Sequence, residues 1–145
     1  MSLFLDKKKY VLMSIKPVYA TFIKNGEKTV ELRRTLPQIK NGDVIVFYES
    51  APVQQITMTC TVKGILRCAP HELWRKAGIA ACVDQKSFDA YFQGKNIANG
   101  IQLGNVKLLP KPLTLNEVID NRRAPQSYYY LKEKETEKLQ ALDII

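Results

Sequence analysis

The run Tyr10-Val11-Leu12-Met13-Ser14-Ile15-Lys16-Pro17 passes into Val18-Tyr19-Ala20-Thr21-Phe22-Ile23-Lys24-Asn25-Gly26 and then into Glu27-Lys28-Thr29-Val30-Glu31-Leu32-Arg33-Arg34. Its first six residues are apolar and β-prone, and Pro17 stands where the first turn of a helix tolerates a missing N–H. A strand hands over to a helix. Val18, Tyr19, Phe22 and Ile23 recur at helical spacing, and Asn25-Gly26 supplies the left-handed residue that ends such a helix. Extended chain returns from Thr29 to Arg34, with Val30 and Leu32 on one face and Thr29, Glu31 and Arg33 on the other. The expected strand therefore has one polar, charged face.

Further along, Asn41-Gly42-Asp43 marks a tight turn before Val44-Ile45-Val46-Phe47-Tyr48, an unbroken apolar run suited to a central strand buried on both faces. From Ile56 to Val62 the alternation predicts Ile56, Met58, Cys60 and Val62 inward and Thr57, Thr59 and Thr61 outward, with Gly64 at a bulge or bend. Pro70 to Lys76 reads as a helix running to Gly78, with Trp74 as a core anchor. Asp84 caps a second helix carrying Phe88, Tyr91 and Phe92 before Gly94. Strand character returns from Ile97 to Leu109, where Gly100 and Gly104-Asn105 predict a hairpin turn. Thr114 stands at a cap position, and a charged helix with Leu131, Leu139 and Leu142 on one side closes the chain. Five or six β-segments, a helix after the first and a two-helix insert predict an α+β class with a strongly curved or closed sheet. The expected organisation is one domain over residues 10–131, an N-terminal extension over 1–9 and a C-terminal helical tail over 132–145.

A chain of 145 residues, 46% hydrophobic and 25% charged, is of the usual size and composition for one globular domain. No stretch approaches the apolar length of a membrane span. The opening Met1-Ser2-Leu3-Phe4-Leu5-Asp6 precedes Lys7-Lys8-Lys9, the reverse of a signal peptide's order, so a cytoplasmic location is expected. Cys60, Cys68 and Cys82 form no CxxC pair, and with the single His71 they make no convincing zinc set, so neither metal nor cofactor is expected. Twenty-two Lys and Arg against 14 Asp and Glu give a formal charge of +8, which favours polyanionic partners through counterion release.

The run Ser14-Ile15-Lys16-Pro17, followed by Gly26-Glu27-Lys28-Thr29-Val30-Glu31-Leu32-Arg33-Arg34, resembles the GxKxxExR segment of ASCH domains, relatives of the PUA fold. Similarity continues in Asn41 to Tyr48, Pro70 to Trp74, Phe88 to Gly94 and Ala124 to Tyr128. The resemblance implies a PUA-like β-barrel whose cleft, between the first helix and the sheet, binds RNA, with Lys28, Glu31 and Arg33 in or beside it. It resembles a bacterial or phage branch labelled predicted transcriptional regulators. Some members hydrolyse the acetyl amide of N4-acetylcytidine; their lysine matches Lys28, while a threonine three residues later is Glu31 here. The same similarity singles out Gln126 and Ser127.

On the residues themselves, Lys28 acts as nucleophile or base only if burial and a cation such as Arg33 bring its pKa down from about 10.4. Otherwise it is an anion clamp or a solvated surface lysine. Strand parity separates Lys28 from Glu31, so a shared site needs Lys28 to reach in from the helix–strand junction. Glu31 beside Arg33 either reads the edge of a base or neutralises its neighbour. Arg34 suits a phosphate contact at the rim, and Ser14 and Lys16 offer a hydroxyl and a charge near the first helix's N-terminus. Tyr48 and Tyr128 offer faces on which a base could stack, or core packing. His71 reads as a surface residue, and Tyr128 to Tyr130 as a patch that packs the tail onto the barrel. The expected partner is RNA or a nucleoside-like ligand. The alternatives are a metal-independent hydrolase of a modified nucleoside or of RNA, with Lys28 and Glu31 catalytic, and a protein-interaction domain.

Overall fold

The computed structural model describes residues 7–120 and 123–145, so residues 1–6 of the expected extension lie outside the described residues. Strand β1 (Tyr10–Ile15) leads directly into helix α1 (Pro17–Lys24), which starts on Pro17. Gly26, at φ +85°, carries the chain out of the helix in a conformation that side chains with a Cβ rarely adopt. Then follow β2 (Val30–Arg33), β3 (Val44–Glu49), β4 (Gln55–Cys68), α2 (Pro70–Ala77), α3 (Gln85–Tyr91), β5 (Ala98–Leu113), β6 (Tyr128–Tyr130) and α4 (Glu133–Ala141). Asp84 caps α3 as expected, its carboxylate accepting from the Ser87 N–H at 2.7 Å.

The six strands form one curled sheet in the order β2-β5-β4-β3-β1-β6. β1 and β3 run parallel, and every other neighbouring pair is antiparallel. The class is the expected α+β, PUA-like. The barrel is open: β2 and β6 end the order, so this is a half-barrel with two edges and no continuous ladder around it. β3 is the central strand its apolar run predicts, flanked by β1 and β4.

Alternation along the strands divides the apolar residues between layers. Met13, Phe47, Cys60 and Ile101 face α1 and pack with Ile23. Leu12, Val46 and Tyr48 face the other way and pack with Ile119 and the fully buried Leu139 of α4. The insert makes its own cluster, in which Leu73, Phe88 and Phe92 meet Val30 and Leu32, with Trp74 at 5.2 Å from the Phe88 ring.

Two expectations, the hairpin in β5 and the outward threonines of β4, fail for the same reason, while the polar face expected of β2 is present but enclosed. β5 is one continuous 16-residue strand with no hairpin at Gly100 or Gly104. Gly100 is small because a Cβ there would stand 2.9 Å from Val30 Cγ1; the close packing of β2 and α2 over β5 requires it. β2 has no solvent-facing side, since the insert covers one face and the cleft described below encloses the other. Thr57 and Thr59 are likewise buried, the former donating to Glu49 at 2.6 Å. In each case a tertiary neighbour covers a polar or glycine position that local pattern assigns to solvent or to a turn. The register shift between Val62 and Gly64 matches the expected bulge.

Candidate nucleic-acid cleft

Where the sheet fails to close, a cleft of about 990 Å³ opens between the end of β1, α1, β2, α3 and the segment 124–127. Its floor is charged. The tight exit from α1 is fixed by Lys28 N–H donating to Phe22 O, and by Thr29 and Val30 N–H both donating to Ala80 O in the insert. This turn aims the Lys28 side chain inward, and the residue is only 3% exposed. Its Nζ donates to Ala81 O at 2.7 Å and Val30 O at 2.9 Å, stands 3.4 Å from Glu31 Oε1, and lies 5.2 Å from the Tyr19 ring centroid. Lys28 thus reaches Glu31 from the helix–strand junction, across the parity that separates them on an ideal strand.

The Glu31 carboxylate sits between two cations, since its Oε2 also accepts from Arg33 Nη1 at 3.1 Å. Arg33 spans the opening of the half-barrel. Its Nη2 donates to Ser127 O at 2.7 Å and Ser127 Oγ at 3.1 Å, and its Nη1 donates to Ser14 O at 3.4 Å. The seam is tied a second time where Ser14 Oγ donates to Pro125 O at 2.6 Å. Two cations against one carboxylate leave a formal charge of one positive, largely desolvated, at the floor of the cleft. Behind the floor, burial first and the Glu31 charge second push the Cys60 thiol from 9.0 up to about 12. Cys82 is also raised, chiefly by burial, with the Lys28 charge opposing.

Asn99 of β5 donates to the carbonyls of Arg33 and Arg34 at the end of β2, where the chain turns one arginine inward and the next outward. Arg34 and Lys16 are exposed at the mouth. The Arg34 guanidinium lies 4.7 Å from the centroid of the Tyr91 ring. The Tyr91 hydroxyl accepts from Arg34 N–H at 3.2 Å and donates to Leu32 O at 3.4 Å.

A family model described as the ASCH domain matches residues 13–142. The chain belongs to the ASCH domain family. An ASCH domain-containing ribonuclease of Zymomonas mobilis is 30% identical over 140 residues, which cover 94% of this ASCH domain's chain and 93% of that protein. The crystal structure of ASCH from Zymomonas mobilis matches with a TM-score of 0.87 at 29% identity, covering 94% of this chain and 96% of that one. Human THYN1, solved in complex with 5-methylcytosine containing DNA, shares the fold at a TM-score of 0.59 and 14% identity, over 94% of this chain and 98% of that one.

In this ASCH domain one cleft gathers Ser14, Lys16, Lys28, Glu31, Arg33, Arg34 and Ser127 from three separate parts of the sequence. Tyr48 and Tyr128 do not join them. Tyr48 is 6% exposed and packs with Leu12 and Val46 on the opposite side of the sheet. Tyr128 pairs with Met13 in the β1–β6 ladder and packs against the inner core and the Tyr130 ring, 5.5 Å away. The aromatic rings that do line the cleft are Tyr19 of α1 and Tyr91 and the almost fully buried Phe88 of α3, which helical spacing alone assigns to packing. The sequence does hold a signal for Tyr19: it stands on the short helix that directly follows the Ser14-Ile15-Lys16-Pro17 motif. Tyr91 lies in the Phe88 to Gly94 segment singled out by the resemblance, but nothing in its local pattern directs it to the cleft. Among the described residues no helix is long and apolar enough to cross a membrane.

Proposed function

We propose that this ASCH domain binds single-stranded RNA in the cleft, its phosphates held at the positive floor and mouth and a base enclosed beside Tyr19. The observation that carries this reading is the Lys28-Glu31-Arg33 cluster: a buried, net positive group facing a cavity large enough for a small ligand. A second cavity of about 840 Å³ lies at the other end of β1, where Lys7, Lys8 and Lys9 are opposed by Glu133 and Glu137, and it offers no comparable concentration of one charge. Three acceptors already surround the three ammonium protons of Lys28, so it supplies the floor with positive charge while the exposed Arg34 and Lys16 keep donors free for a phosphate. The fold shared with a DNA-bound human protein supports a nucleic-acid partner in general.

The test is a titration of single-stranded RNA against salt. Each phosphate held should add about −0.7 to the slope of log K against log salt. Absence of any RNA or nucleoside affinity at low salt overturns the reading. A role in regulating transcription or translation, membership of the branch of predicted regulators, and a cytoplasmic location belong to this proposal and stand on RNA binding.

The name of the Zymomonas relative favours a second reading, cleavage of the bound RNA. Here the ribose 2′-hydroxyl attacks the adjacent phosphorus as Glu31 takes its proton, the bond from phosphorus to the 5′-oxygen breaks with that oxygen reprotonated, and Arg33 and Lys28 offset the charge building on the phosphate. Incubation with single-stranded RNA and with N4-acetylcytidine in the presence of chelator separates these hydrolytic activities from binding; unchanged substrates leave binding alone.

A further inference from the structure

Arg34 and Tyr91 have no part in the Lys28-Glu31-Arg33 cluster, yet they are arranged with equal care. Tyr91 is pinned by its hydroxyl to the backbone on both sides of Arg33, at Arg34 N and Leu32 O. Its ring is also held edge-on against Phe92, with centroids 4.9 Å apart. Over this fixed ring lies the Arg34 guanidinium, and among the described residues it has no carboxylate partner. Both side chains line the cleft, Arg34 exposed and Tyr91 half-buried. A guanidinium held over an aromatic ring keeps its other side open, and such planes are surfaces on which unpaired bases stack.

Resting on the RNA-binding reading above, we propose that Arg34 and Tyr91 form a platform for a second, flanking base, so that the ligand of this cleft is an oligonucleotide of at least two residues and not a free nucleoside. Arg33, the last residue of β2, turns into the buried floor, while Arg34, in the bend that follows, turns to the mouth. A single base enclosed at the floor leaves the platform empty. The nucleotide next to it, leaving through the mouth, passes over it. Tyr91 comes from α3, so the two-helix insert acts here as a wall of the binding site.

Calorimetric titration with 5′-mono-, di- and trinucleotides of each base, alongside dinucleotides whose flanking position lacks a base, tests this directly. The intact dinucleotide is expected to bind roughly 5- to 100-fold more tightly than the mononucleotide, the range that base stacking supplies. The abasic dinucleotide, which keeps the phosphate, should bind like the mononucleotide. Tyr91→Leu and Arg34→Ala should each reduce the dinucleotide-to-mononucleotide ratio towards one, while Tyr91→Phe, which keeps the ring, should preserve it. Equal affinity for intact and abasic dinucleotides in the wild-type protein overturns the platform and leaves RNA binding standing, whatever the variants do. Failure of every oligonucleotide length to bind removes both.

Discussion

Glu31→Gln is the substitution that separates the roles assigned to the floor of the cleft. It keeps the side chain's shape and removes the one negative charge, which lies 3.4 Å from Lys28 Nζ and 3.1 Å from Arg33 Nη1. Loss of one partner from a buried ion pair typically costs about 3–5 kcal/mol. The two cations keep their carbonyl acceptors at Ala81, Val30 and Ser127, and the cleft admits solvent, so the loss falls at or just below the lower end of this range. We expect a loss of about 2–3 kcal/mol, and for a chain of 145 residues a fall in Tm of roughly 6–12 °C. The floor then carries two net positive charges instead of one. RNA affinity at low salt should hold or rise, while discrimination among bases should fall, because phosphate contacts position and base contacts specify. If Glu31 moves a proton in RNA cleavage, turnover should drop about 100-fold with affinity near wild type. Thermal unfolding followed by circular dichroism, and titrations of four homopolymer RNAs at two salt concentrations, measure all three quantities. A variant with unchanged Tm, base preference and turnover refutes the placement of Glu31 between the cations. One that only melts lower makes Glu31 a structural partner of Arg33.

Arg33→Lys preserves the charge but cannot keep four acceptors on three residues, so the β6 edge should loosen; amide hydrogen exchange at Tyr128 to Tyr130 is expected to quicken tenfold or more, and unchanged protection there would show that Arg33 does not tie the seam. Cys60 should resist alkylation in the native protein at pH 8 and react once unfolded. Its thiol is raised from 9.0 to about 12 on folding, so the unfolded chain releases a proton above pH 9 that the native protein retains, and stability should fall from there towards pH 12. Relative to Cys60→Ala, urea denaturation should show this loss approaching about 1.4 kcal/mol per pH unit. A pH-independent difference would place Cys60 outside the buried layer.

The sequence made β1, α1 and the turn at Gly26 legible because their determinants are local: an apolar run, a proline at a helix start and a glycine that must take a positive φ. The floor of the cleft was legible through the GxKxxExR frame, although parity alone argued against Lys28 meeting Glu31. Their meeting depends on Ala80 and Ala81, some 50 residues further on, which hold the turn and accept from the ammonium. Distance along the chain explains the failures too. Gly100 reads as a turn until Val30 and Leu73 are known to press against it, and Tyr48 stays open between stacking and core packing until α4 is seen to bury that side of β3. Tyr91 reached the cleft only through the packing of the insert, for which no period of the sequence gives a sign.

The tie between Arg33 and Ser127 joins residues 94 positions apart, and β2 finds its strand partner only in β5. During synthesis at 5–20 residues per second, about 5–20 s separate the emergence of these two ends. Throughout that interval Arg33 and Glu31 exist without the wall they close against, so a nascent chain can complete α1 and β1 and still lack any pocket. The RNA binding proposed for this cleft would therefore belong to chains that have reached at least Ser127, the residue that closes it over Arg33.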